Sequence, residues 1–227
     1  MRKIILDRKI VIGLSDKTDG NMRTIGKIGD DLEKVEQNRV KFLAGIDLYK
    51  KDATLLMIDY DRANFCQYAV ANDNFRGVGV IYRNSVKSYD GIATKEKNLG
   101  LFLPLADCLG AVIFDPEHGV LMVSHLGRHS TEQFGAEKSI KFLREQFNSD
   151  PAKVKIWLSP AAGKINYPLY KFNGRSLYEV NAEQFAESGI LRENIFGYEI
   201  DTTVDPTYFS NSVCDKTSRF AIGSNIS

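Results

Sequence analysis

Two short motifs hold the residue types that chemistry needs: Ala106-Asp107-Cys108 and His125-Leu126-Gly127-Arg128-His129. A thiolate sulfur and an imidazole nitrogen are both ligands for Zn²⁺, and the same groups serve as nucleophile and general base. Cys108 and His125 are 17 positions apart, with two apolar runs and a turn between them. A strand-turn-strand unit can bring its two ends back together, so the spacing is compatible with one site without demanding it. The plainer reading makes Cys108 a small buried hydrophobe and His125 a hydrogen-bonded strand end. Asp107 either orients a ligand or caps a turn, and the turn is the simpler role. Arg128 and His129 extend the same loop, where they would hold an anion such as phosphate or simply face solvent. His118, in Asp-Pro-Glu-His-Gly, reads as a surface residue, and Cys66 and Cys214, without ligand-type neighbours at short spacing, read as structural. No Walker loop, GxGxxG, GxSxG, CxxC or HExxH occurs, which removes the common nucleotide-loop, esterase and zinc-protease patterns.

The elements that must position these residues follow from apolar patterning. Residues 9–14, 53–58, 77–82, 99–105, 110–115, 120–125 and 153–160 read as strands. Pro104 implies a strand end or a bulge, and Pro160 ends its strand. Asp30 and Asp31 open a helix to about Leu43, with Leu32, Val35, Val40 and Leu43 roughly at helical spacing and Gly45 at its end. Residues 131–147 form the clearest helix, with Thr131 as cap, and 181–189 a short one between Asn181 and Gly189. Residues 196–203 and 207–213 offer two more strands. No repeat, low-complexity segment or linker divides the chain, so the expectation is one α+β domain over residues 1–227.

The 227 residues carry 30 Lys and Arg against 29 Asp and Glu, a net charge of +1, with 43% hydrophobic and 26% charged residues. This is globular composition, and near-neutrality argues against nucleic acid or a membrane surface held by bulk charge. No apolar run reaches spanning length, and charges interrupt the start of the chain, so neither a membrane span nor a signal core is expected. Three cysteines do not make a disulfide framework. A cytoplasmic location with free thiols is the expectation, and oligomeric state is left open.

The segment Asp90 to Ser130 resembles the core of the YfiH-like family, also called the laccase-domain or polyphenol-oxidase-like family and regarded as purine nucleoside phosphorylases. The matching pieces are Asp90-Gly91-Ile92-Ala93-Thr94, Ala106-Asp107-Cys108, Asp115-Pro116 and His125-Leu126-Gly127. Residues 15–22, 29–39, 156–163 and 208–221 resemble further family segments in the same order. The resemblance implies mixed β-sheets sandwiched by helices, an α/β/β/α arrangement similar to the toxin-type Cys–His deamidase fold. It also implies a zinc (copper has been claimed) held by one Cys and two His, and purine nucleoside and phosphate as substrates, with adenosine deamination in some members.

At several positions the sequence departs from the pattern. Asp59 stands where the family's first His is expected, so the implied metal set is Asp59, Cys108 and His125. Arg128 and His129 follow His-Leu-Gly in place of the family's Trp-Arg. Ser212 and Val213 replace two expected tail arginines, leaving Arg128, His129 and Arg219 as phosphate contacts. The cysteine expected near Ile165 or Asn166 is absent. Three functions stay open: a zinc-assisted purine nucleoside phosphorylase, a metal-free hydrolase or deamidase with Cys108 as nucleophile and His125 as base, and a non-catalytic metabolite-binding member.

Overall fold

The computed structural model describes residues 1–23, 32–81, 87–214 and 216–227. One sheet is built from β1 (Arg2–Asp7), β2 (Ile10–Leu14), β3 (Ala53–Leu55), β6 (Gly100–Leu105) and β11 (Phe220–Ile226), in the order β1-β2-β11-β6-β3. The second contains β4 (Tyr68–Ala71), β5 (Gly91–Thr94), β7 (Leu109–Asp115), β8 (Val120–Leu126), β9 (Lys155–Leu158) and β10 (Ile195–Phe196), in the order β10-β9-β7-β8-β5-β4. Helix α1 (Leu32–Ala44) covers the outer face of the first sheet. Helices α3 (Gly135–Phe147) and α4 (Leu177–Glu187) cover that of the second, with the short α2 (Arg128–Glu132) between β8 and α3.

Alternation along the strands sorts side chains into three apolar layers. Leu101, Leu103 and Leu105 of β6 meet Val112 and Phe114 of β7 and Leu121 and Val123 of β8 between the sheets. Ala111, Ile113, Val120 and Met122 face the other way, onto Ile140 and Leu143 of α3 and Phe185 of α4. Phe42 and Ile46 pack on Phe102 and Ala221. β7 and β8 are buried on both faces, which is why their sequences read as unbroken apolar runs. Pro104 is tolerated inside β6 because its β11 partner Ala221 makes its backbone bonds to Ser15 and β3 pairs only with Gly100 to Phe102, so no strand needs its missing N–H.

Several expectations need correction. Gly77 and Gly79 have positive φ and turn the chain where a strand was expected, while Tyr82 lies outside the described residues. Asp30 and Asp31 also lie outside them. Leu32 and Val40 of α1 are exposed, and Arg39, which donates to the Met22 and Arg23 carbonyls, is buried instead. The expected helix 131–147 is two helices broken at Phe134, whose φ is +62°, and Thr131 is a buried residue of α2, not a cap. Helix α4 starts at a Ser176/Glu179 capping box, with Asn181 inside it. Of residues 196–203 and 207–213, Phe196 alone belongs to a strand and Asp201 makes a single bridge to Ala161. β11 was not expected: its Gly223 leaves room for Phe42 and Ile46, which would lie 2.9 and 3.1 Å from a Cβ there.

Candidate active site

The turn Ala106–Cys108 carries the chain from β6 in one sheet to β7 in the other. Asp107 makes it with a φ of +72°, a conformation that Asp tolerates better than most residues. Its buried carboxylate then ties down the C-terminal loops. Oδ1 accepts from Thr202 Oγ1 at 3.0 Å, and Oδ2 accepts from the backbone N and Oγ of Ser212 at 2.6 and 2.7 Å. The turn role expected for Asp107 therefore comes with a clamp that joins distant segments.

β7 and β8 form an antiparallel hairpin whose last pair is Leu109–Leu126, and one step further Cys108 stands across from Gly127. A Cβ at Gly127 would lie 3.0 Å from Cys108 Sγ, 2.9 Å from His125 Cε1 and 3.4 Å from His125 Nε2. Thiol and imidazole thus lean over the same glycine, which is needed for room and not for an unusual φ. Ser124 bonds Ser139 of α3 at 2.8 Å, so His125, next along the strand, points away from the helices. Its backbone N–H donates to the Asp90 carbonyl at 2.7 Å. The Asp90 carboxylate is buried, pairs with Arg62 at 2.6 Å and accepts from Gln67 N at 2.9 Å.

Cys108 and His125 line a cavity of about 280 Å³ with Tyr60, Tyr167, Asn211 and Arg219. Arg219 reaches Asn211 Oδ1 at 3.3 Å and the carbonyls of Lys216 and Ser218. A smaller adjoining cavity of about 120 Å³ adds Phe65, Arg128 and His129. There the Arg128 guanidinium lies 4.3 Å from the Tyr167 ring centroid, and His129 stacks on Phe65 at 5.0 Å. The expected phosphate contacts are therefore spread over two adjoining cavities, Arg219 in the larger and Arg128 with His129 in the smaller.

Burial pushes the Cys108 thiol up to about 12, the neighbouring Asp107 charge adds to this, and Arg219 and Arg128 oppose it. Burial also takes His125 down to about 3, helped by the Arg62 charge. At neutral pH both groups are uncharged, the opposite of a thiolate–imidazolium pair.

Asp59 does not join this pair. It is exposed, its Oδ1 accepts from Asp61 N at 3.0 Å, and it is absent from both cavities. Tyr60, although 58% exposed, places its hydroxyl 3.4 Å from His125 Nε2 and lines the same cavity as Cys108. Among the described residues no three of His, Cys, Asp and Glu stand together as a metal site. The expected Asp59–Cys108–His125 centre is thus not assembled, and no chemical step is derived through a metal.

Cys66 is half-buried with its thiol near the Ser130 and Gln133 carbonyls. His118 is held by the buried Asp115 at 2.8 Å in the β7–β8 turn. Tyr60, Tyr167, Asn211 and the Arg62–Asp90 pair were not singled out from sequence as site residues. Only Asp90 carried a signal, as the first residue of the Asp-Gly-Ile-Ala-Thr motif.

The family model described as multi-copper polyphenol oxidoreductase laccase matches residues 11–174. "Purine nucleoside phosphorylase YlmD" of Bacillus subtilis is 27% identical over 158 residues, 69% of this chain and 55% of that protein. A "Purine nucleoside phosphorylase" of Bacteroides thetaiotaomicron is 19% identical over 177 residues, 76% of this chain and 63% of that protein. The matches thus span less than two thirds of the length of either relative. Among solved structures, YlmD from Geobacillus stearothermophilus superposes with a TM-score of 0.85 at 18% identity, covering 98% of this chain and 94% of that one. The hypothetical protein YfiH of Bacillus licheniformis gives 0.83 at 19% identity, covering 96% and 93%. These likenesses establish the α+β sandwich.

Proposed function

The chain belongs to the multi-copper polyphenol oxidoreductase laccase family, and on that premise we propose that it is a purine nucleoside phosphorylase acting on adenosine or inosine. The observation that carries the reading is one cavity lined together by a thiol, an imidazole, a phenol, Arg219 and Asn211. Phosphorolysis breaks the bond from the sugar C1′ to the purine nitrogen and forms a bond from C1′ to a phosphate oxygen. The bonding pair leaves with the purine, which takes up a proton. Both ends of that displacement need help: the phosphate dianion must be held against the sugar, and the leaving base must be met by donors.

Arg219 and Asn211 supply the first kind of contact, with Arg128 close by. The Cys108 thiol and Tyr60 hydroxyl supply the second, because both carry their protons at neutral pH: desolvation at the cavity raises the thiol to about 12 and lifts the phenol above its ordinary range. The same uncharged state of Cys108 and His125 weighs against a thiolate nucleophile, and so against the hydrolase or deamidase reading. Of the ligands expected for zinc or copper, Cys108 and His125 stand together and the third is missing, so these steps use protein groups. No described helix is long and apolar enough to cross a membrane, which fits a cytoplasmic enzyme meeting small nucleosides.

The test is release of free base from adenosine and inosine, with and without phosphate. Release should require phosphate and fall at least about a hundredfold in Cys108→Ala, about 2.7 kcal/mol of transition-state stabilisation. Arg219→Ala should raise the KM for phosphate more than that for nucleoside. Cys108-dependent product without phosphate would assign hydrolysis or deamination instead, and no Cys108-dependent turnover would leave a binding protein.

A further inference from the structure

We infer that Tyr60 takes the place of the third metal ligand at the Cys108–His125 pair, so that a phenol bonded to His125 stands where a metal would and this chain does not retain zinc. The inference rests on the placement of side chains, not on the reaction, so it stands or falls separately from the phosphorylase reading.

Three observations carry it. The first is position. Cys108 Sγ and His125 Nε2 face a common point, both within 3.4 Å of the place a Cβ on Gly127 would occupy. That convergence would suit a zinc ion, which takes sulfur at about 2.3 Å and imidazole nitrogen at about 2.0 Å. The Tyr60 hydroxyl has entered this space, 3.4 Å from Nε2, with its ring edge-on to the imidazole at 5.9 Å. A phenol can bond an imidazole nitrogen, so the hydroxyl occupies the face of His125 that a metal would need, beside Cys108 in the same cavity.

The second observation is the missing ligand. The carboxylate next in sequence, Asp59, is exposed and engaged with the backbone of Asp61. With its carboxylate tied back to Asp61 and outside the cavity that Tyr60 lines, Asp59 does not reach the pair. The chain offers only three histidines. His118 is bound to Asp115 and His129 is stacked on Phe65, and among the described residues neither joins Cys108 and His125 in a set of three ligands.

The third is the outer shell. A metal-ligating histidine almost always donates its other ring N–H to a carboxylate or carbonyl, which fixes the tautomer and strengthens the ligand. His125 Nδ1 is buried and has no hydrogen-bond partner. The imidazole is packed, not oriented for coordination.

The experiment is zinc stoichiometry on the full chain, expressed with zinc, dialysed and analysed for metal, followed by competition with a chromophoric chelator. Wild type should retain well under one equivalent. Tyr60→His should bring a third ligand to the pair, retain about one equivalent and bind zinc at least about tenfold more tightly. Tyr60→Cys is a second ligand-bearing variant should the histidine disturb folding, which far-ultraviolet circular dichroism reports. Asp59→His should gain nothing, because position 59 faces solvent. One equivalent of zinc in the wild type overturns the inference, whether or not Tyr60→Phe removes it. So does a gain of affinity in Asp59→His with none in the folded Tyr60 variants.

Discussion

Gly127 shows how tightly the site is built around single atoms. Its φ of −82° is open to any residue, so a substitution there tests space alone. In Gly127→Ala the new methyl would meet Cys108 Sγ at 3.0 Å and the His125 ring at 2.9 Å, closer than carbon approaches such groups. Either the thiol or the imidazole must move. Overpacking of this kind costs about 1–3 kcal/mol, and the protein should remain folded, with its urea midpoint lowered. Base release should fall in parallel with Cys108→Ala, because the added methyl displaces the thiol that meets the leaving base or the imidazole packed beside it. Wild-type turnover in Gly127→Ala would mean that Cys108 and His125 need not converge.

At the scale of elements, the site depends on one turn holding the C-terminal loops in place. Asp107 connects the β6–β7 turn to Thr202 and Ser212, and the loop it holds carries Asn211 toward Arg219. Asp107→Ala would leave these donors without their acceptor and remove the carboxylate that tolerates the turn. The loss should be about 1–3 kcal/mol, concentrated in the loops. Amide hydrogen exchange is the appropriate measurement. Protection at Ser212 and Thr202 should fall while that of β7, β8 and α3 stays near wild type. The KM for phosphate should rise with the displaced Asn211. Uniform loss of protection across the chain would assign Asp107 a global role instead.

On the scale of the molecule, the two sheets share one apolar layer, with Leu103 of β6 fully buried among residues of both. Neither sheet can open without exposing the other's inner face, so the chain should unfold as one domain over its whole length. Circular dichroism and Trp157 fluorescence should report coincident urea transitions. Trp157 belongs to β9 and packs into the shared layer. Leu103→Ala should lower both midpoints together by about 2–5 kcal/mol of stability. Separate transitions for the two probes would show that the sheets are independent units.

The sequence by itself determined the strands that are buried on both faces. In β7 and β8 an uninterrupted apolar run leaves no other fate for the chain, and two such runs with a polar turn between them read as a hairpin. The motif residues Cys108, His125 and Arg219 were legible for the same reason: their chemistry is carried by residue type. Other features were decided by tertiary structure. β11 is less regular as a strand pattern because its Gly223 makes room for Phe42 and Ile46 and its Ser224 donates to the Val11 carbonyl of β2, constraints that exist only after packing. Whether Asp59 or Tyr60 reaches the pair depends on how the loop after β3 bends at Asp61, which only the packed chain decides. The clamp at Asp107 joins residues about a hundred positions apart, and no local pattern records such a contact. The uncharged state of Cys108 and His125 comes from burial between two sheets, which neither motif contains.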